Sequence, residues 1–292
     1  MPTIRKFYLE NAAGERFGLQ GEAGVYFTEP AGLGYELDPP FADLGRGFFS
    51  PLDEELEPQG SVTGTLKFVP PAYSHYRALV DWIASAGSLL LIYCPFGSEE
   101  FQKAVSVEYL QKGELDKTRL LSSPVSFFAH SPWRRPVPAE IAMDSGEGQT
   151  RARYSGRYPG RYGGDAAGAM SARISAAGHL PGAVLLRYHG AITGPEIRLT
   201  GAVSGEVYGI ARLPGASLQT GDTLELCTLW EDSYVRKISA SGAVTDLLPF
   251  LDISQDPFFH LPTDEDAVLT MESDAAFSGS AELLAYYYFR TV

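Results

Sequence analysis

Hydrophobic and polar positions along this chain alternate mostly with a period of two, and a helical period is sustained in one place. In SVTGTLKF, residues 61–68, the larger side chains Val62, Leu66 and Phe68 share one parity while Ser61, Thr63, Thr65 and Lys67 take the other. That pattern predicts a strand with one buried face. A helix is expected to follow at once: Pro70 and Pro71 fit its first turn, where their missing N–H groups are not needed, and Tyr76, Leu79, Val80 and Ile83 recur at helical spacing. Gly87 is placed to end it as a left-handed cap. SLLLIYCPF then has the continuous apolar character of a strand covered on both faces, and Phe101, Val105, Val107 and Tyr109 alternate with polar residues in the strand after it.

Before this block, IRKFYLEN and ERFGLQG predict an opening hairpin turned by Asn11 and Gly14, and GVYFTEP predicts a further strand. Residues 31–60 hold several Pro and Gly, an acidic run over 53–57 and the pair Phe48 and Phe49. A connection of this length without regular structure is either mobile or held by a partner. Phe41, Phe48 and Phe49 are therefore candidate apolar anchors of an arm between subunits; the other reading is a loop folded back on its own domain.

Past residue 115, Pro124, Pro132, Pro136 and Pro138 break the pattern, which sets an expected boundary near Arg135, with domains at 1–135 and 136–292. From Ser171 onward short strands recur between turn dipeptides such as Gly194-Pro195, Pro214-Gly215 and Gly221-Asp222. The expected fold is mainly β in two domains: an N-terminal β-sandwich with one packed α-helix, and a C-terminal galectin-like or jelly-roll β-sandwich. The richness in turn and aromatic residues, with 31 Gly, 20 Pro, 16 Tyr and 16 Phe in 292 residues, agrees with many short strands.

Charge narrows the function classes. A formal net charge of −13 argues against gripping nucleic acid through the overall field and suits a surface that DNA passes without sticking. Arg151, Arg153, Arg157 and Arg161 interleave with Tyr154, Tyr158 and Tyr162, a composition that stacks on single-stranded bases in disordered tails. Here the run is short, lies between structured halves and is diluted by Asp144, Glu147 and Asp165, so a Tyr-rich strand entering the second domain is preferred. No apolar run reaches signal-peptide or membrane-span length, so no membrane partner is expected.

Candidate chemistry is sparse. Cys94 and Cys227 fall in apolar strand-like runs and are expected to be buried free thiols. The histidines at 75, 130, 179, 189 and 260 show no ligand spacing, so no metal and no cofactor is expected. The carboxylate pairs Glu54–Glu55 and Glu99–Glu100, and the run 264–266, read as solvated turns instead of a catalytic pair, and no enzymatic activity is expected. Residues 252–266 lack the alternating oxygen ligands of a calcium loop; Phe258, Phe259 and Leu261 are expected to pack beneath a turn. One weak binding candidate remains: Trp230 and Tyr286 as an aromatic platform for a sugar ring.

Several stretches together resemble the distal tail (Dit-like) proteins of long-tailed phages: RKFYLENAAGERFGL at the start, GLGYEL and GFF, the Gly64-Leu66-Phe68 strand, the Tyr-bearing helix, LLLIYCPFG, VSVEYLQKGEL, and the ordered strands of the second half. The resemblance implies a structural tail-tip protein in the virion, assembled in the host cytoplasm. It further implies a homo-oligomeric ring, a hexamer, in which an extended hairpin from each subunit embraces the next. Tail tube and baseplate proteins would be its partners and DNA only passing cargo. A carbohydrate-binding adhesin and a component of a tail-derived bacteriocin are the competing classes.

Overall fold

The computed structural model describes residues 5–34, 41–45, 48–51, 60–95, 99–144, 169–273 and 277–292. The chain divides into two compact units, Met1–Arg135 with Phe289–Val292, and Pro136–Tyr288.

The first unit contains β1 (Lys6–Asn11), β2 (Arg16–Gly18), β3 (Val25–Ala31), β4 (Phe41–Gly45), β5 (Phe48–Pro51), β6 (Ser61–Phe68), the helix α1 (Ala72–Ser85), β7 (Leu89–Cys94), β8 (Phe101–Leu110), β9 (Leu121–Ala129) and the start of β10 (Trp133–Ala139). Asn11 makes the first turn as expected: its Oδ1 accepts the amides of Ala13 at 3.0 Å and Glu15 at 2.9 Å, and Gly14 takes a left-handed φ of 78°. Antiparallel pairing runs β1 to β7, β7 to β8, β8 to β9, β9 to β6 and β6 to β3. Leu19 then completes the circuit, its amide donating to Phe7 O and its carbonyl accepting from Phe27 N. Phe7 sits at the centre of the core, edge-on to Phe27 at 5.0 Å and stacked on Tyr93 at 4.8 Å. Val62, Leu66 and Phe68 are buried, the parity the sequence predicts. Gly64, on the same parity, lies under the Phe27 ring; a Cβ there would come within 2.5 Å of Phe27 Cε2.

Three local expectations need correction. Pro71 is extended and precedes the helix as its N-cap, so the two prolines lie before the first turn. Proline disfavours helical geometry in the residue ahead of it, which here is Pro70. The buried helix stripe is Ala72 and Leu79, with Tyr76 and Ile83 packed alongside, while Val80 faces solvent. In β8 the alternation holds through Val105 and then fails: the register against β9 shifts between Val107 and Tyr109, and Tyr109 turns outward. The extra residue of that bulge is Glu108, whose carboxylate accepts the Ser126 hydroxyl at 2.7 Å.

The long connection between β3 and β6 is also more ordered than its composition suggests. It contains β4 and β5, paired antiparallel into a ribbon that, among the described residues, joins no other strand.

The second unit contains β11 (Ala142–Asp144), β12 (Ala169–Ile174), β13 (Leu180–Thr193), β14 (Glu196–Gly201), β15 (Val207–Arg212), β16 (Ser217–Leu218), β17 (Thr223–Leu229), β18 (Asp232–Ile238), β19 (Val244–Asp246), β20 (Ala267–Glu272) and β21 (Ser278–Phe289). They form two antiparallel sheets, ordered β19-β18-β17-β13-β21 and β11-β12-β20-β14-β15. Alternate residues of the first, including Val184, Leu186, Tyr188, Leu224, Leu226 and Val235, are fully or almost fully buried. So are Ile197, Leu199, Leu269 and Met271 of the second, as a two-sheet core requires.

The segment from Leu247 to Leu261 straps the two sheets together. Leu247 N donates to Val235 O on β18, Asp252 N to Arg212 O and Ile210 N to Asp256 O along β15, and Gly182 and Leu261 exchange both backbone hydrogen bonds at β13. Phe259 and Leu261 are buried beneath it. Edge strand β15 is thereby covered by the chain's own backbone.

Candidate interaction surfaces

The residues singled out from the sequence fall at three places. Phe41 begins β4, and Phe48 and Phe49 begin β5; the register pairs Phe41 with Pro51, Asp43 with Phe49 and Gly45 with Phe48. Their side chains, like the Arg- and Tyr-rich run 151–162 and the pair Glu54–Glu55, lie outside the described residues.

Trp230 occupies the two-residue turn between β17 and β18 and is 63% exposed. Its indole lies on the imidazole of His260, with ring centroids 3.7 Å apart and planes inclined by 12°. The neighbouring Glu231 carboxylate accepts a hydrogen bond from the buried Tyr288 hydroxyl at 3.3 Å. Burial lowers the His260 pKa against the opposing pull of Asp256 and the Gly182 backbone, so this ring is held neutral. Tyr286 packs half-buried with Leu180, Tyr234 and Leu284 against a cluster of Ala183, Leu185, Cys227, Leu229 and Tyr288. A stack between residues 30 positions apart leaves no local trace in sequence.

The charged residues are largely engaged in bracing strands and turns. Glu99 pairs with Arg135 and Glu100 with Arg16, each at 2.9 Å. Glu225, 5% exposed, accepts Arg187 at 2.7 Å on one oxygen and Arg236 at 2.6 Å on the other. Burial pushes its carboxyl pKa up, and the hydrogen bonds and charges of the two guanidinium groups outweigh that and hold it below the usual range. Glu265 accepts the Ser204 and Tyr208 hydroxyls and the Ser204 and Val203 amides, which holds its pKa down to about 2. Asp252 and Asp256 cap their own turns through the amides of Ser254 and Phe258. Among the described residues no group of three or more His, Cys, Asp or Glu could hold a metal ion, and no helix is long and apolar enough to cross a membrane. Cys94 and Cys227 are buried and not joined in a disulfide.

Among the described residues, the strands of the first unit pair in a circuit and β4–β5 pair only with each other. The model of the distal tail protein N-terminal domain matches residues 6–130. Over those residues the amino-terminal unit is similar to a distal tail protein domain. Over both units the chain is similar in fold to solved phage proteins. One is a chain of the phage p2 baseplate in its activated conformation with strontium, at 14% identity and a TM-score of 0.69, covering 99% of this chain and 100% of that one. Another is the SPP1 Dit protein, described as a paradigm of the hub adsorption apparatus in phages infecting Gram-positive bacteria, at 12% identity and a TM-score of 0.56, covering 96% and 98%. No curated protein sequence matches the chain.

Proposed function

We propose that the chain is an architectural protein of a phage tail tip. Copies of its amino-terminal unit close into a hexameric ring that continues the tail tube, and its carboxyl unit, a galectin-like sandwich, carries baseplate or receptor-binding proteins. The protein resides in the virion after assembly in the host cytoplasm, and DNA passes the ring as cargo. The observation that carries this reading is the distal tail domain over residues 6–130, in which the described core strands are paired in a circuit and β4–β5 pair only with each other.

Unpaired strand edges are where a sheet recognises another chain. In the circuit those edges are largely satisfied internally, whereas each strand of the ribbon has one side without a described partner. The ribbon is therefore our assigned arm, with Phe41, Phe48 and Phe49 as its apolar anchors on the next subunit. Head-to-tail contacts of this kind generate rings when the rotation closes. The net charge of −13 repels nucleic acid, which suits a conduit.

Native mass measurement of the full chain tests the reading: a closed hexamer is expected, and deletion of residues 40–56 should yield folded subunits that no longer associate. A protein that stays monomeric at high concentration and is missing from purified particles overturns it.

A further inference from the structure

The turn between β17 and β18 carries an exposed tryptophan held in a defined orientation. A tryptophan 63% exposed is expected to fold down over apolar surface, but Trp230 is instead fixed flat on a single side chain, His260. One face of the indole is covered by the imidazole at 3.7 Å, so the opposite face and the ring edge account for its exposure. Beside it the Glu231 carboxylate is exposed and oriented by the buried Tyr288 hydroxyl at 3.3 Å. Asp232 and Ser233, next in the chain, are exposed as well.

We infer that this turn is a binding subsite for a neutral pyranose, with Trp230 stacking on the C–H face of the sugar and Glu231 accepting from a ring hydroxyl. The geometry selects this class on three grounds. The apolar contact is one flat ring, since Leu229 on one side of the turn is buried and Tyr234 on the other is half-buried; that area fits a single sugar and is small for a protein partner. The ring beneath is neutral His260, whose Nδ1 is buried without a hydrogen-bond partner, so no positive charge draws electron density from the indole face. Glu231 and Asp232 together disfavour anionic sugars. His260 is a positioning residue, holding the indole in place without touching the ligand. This inference does not depend on the ring reading.

The full-length protein labelled with fluorinated tryptophan gives one resonance each for Trp82, Trp133 and Trp230. Titration with methyl glycosides of glucose, galactose and N-acetylglucosamine should move the Trp230 signal alone, saturably, with a Kd on the order of 1 mM. Glucuronate should bind roughly 10-fold more weakly. Trp230→Ala should abolish the response of bound glycoside in ligand-observed spectra, and Trp230→Phe should retain it about 10-fold weaker, because a smaller ring still stacks. His260→Ala should weaken binding about 10-fold while leaving the far-UV spectrum unchanged. The inference is overturned if none of the neutral glycosides moves Trp230, or if Trp230→Ala binds as well as the parent. Either result leaves the native mass of the assembly unaffected, so it is distinct from failure of the tail-tip reading.

Discussion

Arg187 on β13 and Glu225 on β17 stand directly opposite each other, and the guanidinium Nε donates to the carboxylate at 2.7 Å. The same row continues across the sheet. Arg187 faces Glu282 on β21, Glu225 faces Arg236 on β18, and Arg236 faces Asp246 on β19, so charge alternates over neighbouring strands from one side of the sheet to the other. A slip of one residue in any of these strands would break the alternation and turn its apolar face outward. Glu225 is the buried member, and Glu225→Ala should cost roughly 1–3 kcal/mol by leaving two guanidinium groups without their acceptor, discounted because both remain over a third exposed. Arg187→Met should cost less, about 1 kcal/mol, because Arg236 still serves the carboxylate. Urea unfolding of the full chain reads both, and a loss below about 0.5 kcal/mol for Glu225→Ala would show that the row does not brace the sheet.

Acid should destabilise the second unit in two stages. Glu265 has an ordinary pKa of 4.5 and is held near 2 in the folded protein by the Ser204 and Tyr208 hydroxyls and the Ser204 and Val203 amides. Its contribution is therefore complete above pH 4.5 and is lost as pH falls toward 2. Asp266, hydrogen-bonded by the Ala176 amide and Arg173, shifts in the same direction. His260 acts earlier, because burial lowers its pKa below the ordinary 6.5: the unfolded chain takes up its proton first, and stability declines as pH drops below 6.5. Melting temperature followed from pH 8 to pH 3 should show a shallow fall followed by a steep one. His260→Gln should flatten the first stage, and Glu265→Gln should make the second less steep while Asp266 and Glu225 keep their share of it. A profile unchanged by both substitutions would rule out this assignment.

These contacts mark the limit of what could be read from the chain itself. The parity of Val62, Leu66 and Phe68, the Asn11 turn and the doubly buried LLLIYC strand are all local, since each is set by residues within a few positions of one another. Tyr109 turns outward because a bulge at Glu108 changes parity without altering composition. The alternating row through Arg187 and Glu225 requires the register of several strands at once, and the Trp230–His260 stack depends on where a long strap crosses a sheet end. Pro39, Pro40 and Gly47 around the ribbon hide its strand character in the sequence, although β4 and β5 pair.

The helix supplies a direct check on how residue spacing maps to burial. Leu79 and Val80 are adjacent and both apolar, so periodicity alone accommodates either on the core face. In the structure Leu79 is fully buried, in line with Ala72, Tyr76 and Ile83, and Val80 is exposed. Leu79→Ala should destabilise the first unit by about 2–5 kcal/mol, the range for truncating a core leucine. Val80→Ser should change stability by less than about 0.5 kcal/mol, as surface substitutions do. Equal losses at the two positions would mean that the helix is rotated from its assigned face.

Gly209 offers the sharpest test of the strap over β15. A Cβ at that position would lie 2.4 Å from Asp256 O and 2.6 Å from Phe259 Cβ, and the first of these is backbone that is itself hydrogen-bonded to Ile210 N. Neither neighbour can swing aside as the end of a flexible side chain would. Gly209→Ala should therefore lift the strap, at a cost of about 1–3 kcal/mol. Lifting it also uncovers an edge strand, so self-association should rise along with the loss of stability. Gly205→Ala is the matched control: a Cβ there meets nothing within 4 Å, and its positive φ of 69° restricts the expected loss to roughly 1 kcal/mol of backbone strain without aggregation. Light scattering during mild heating separates the two outcomes. If Gly209→Ala melts lower but stays as dispersed as the parent, the strap packs against β15 without protecting its edge.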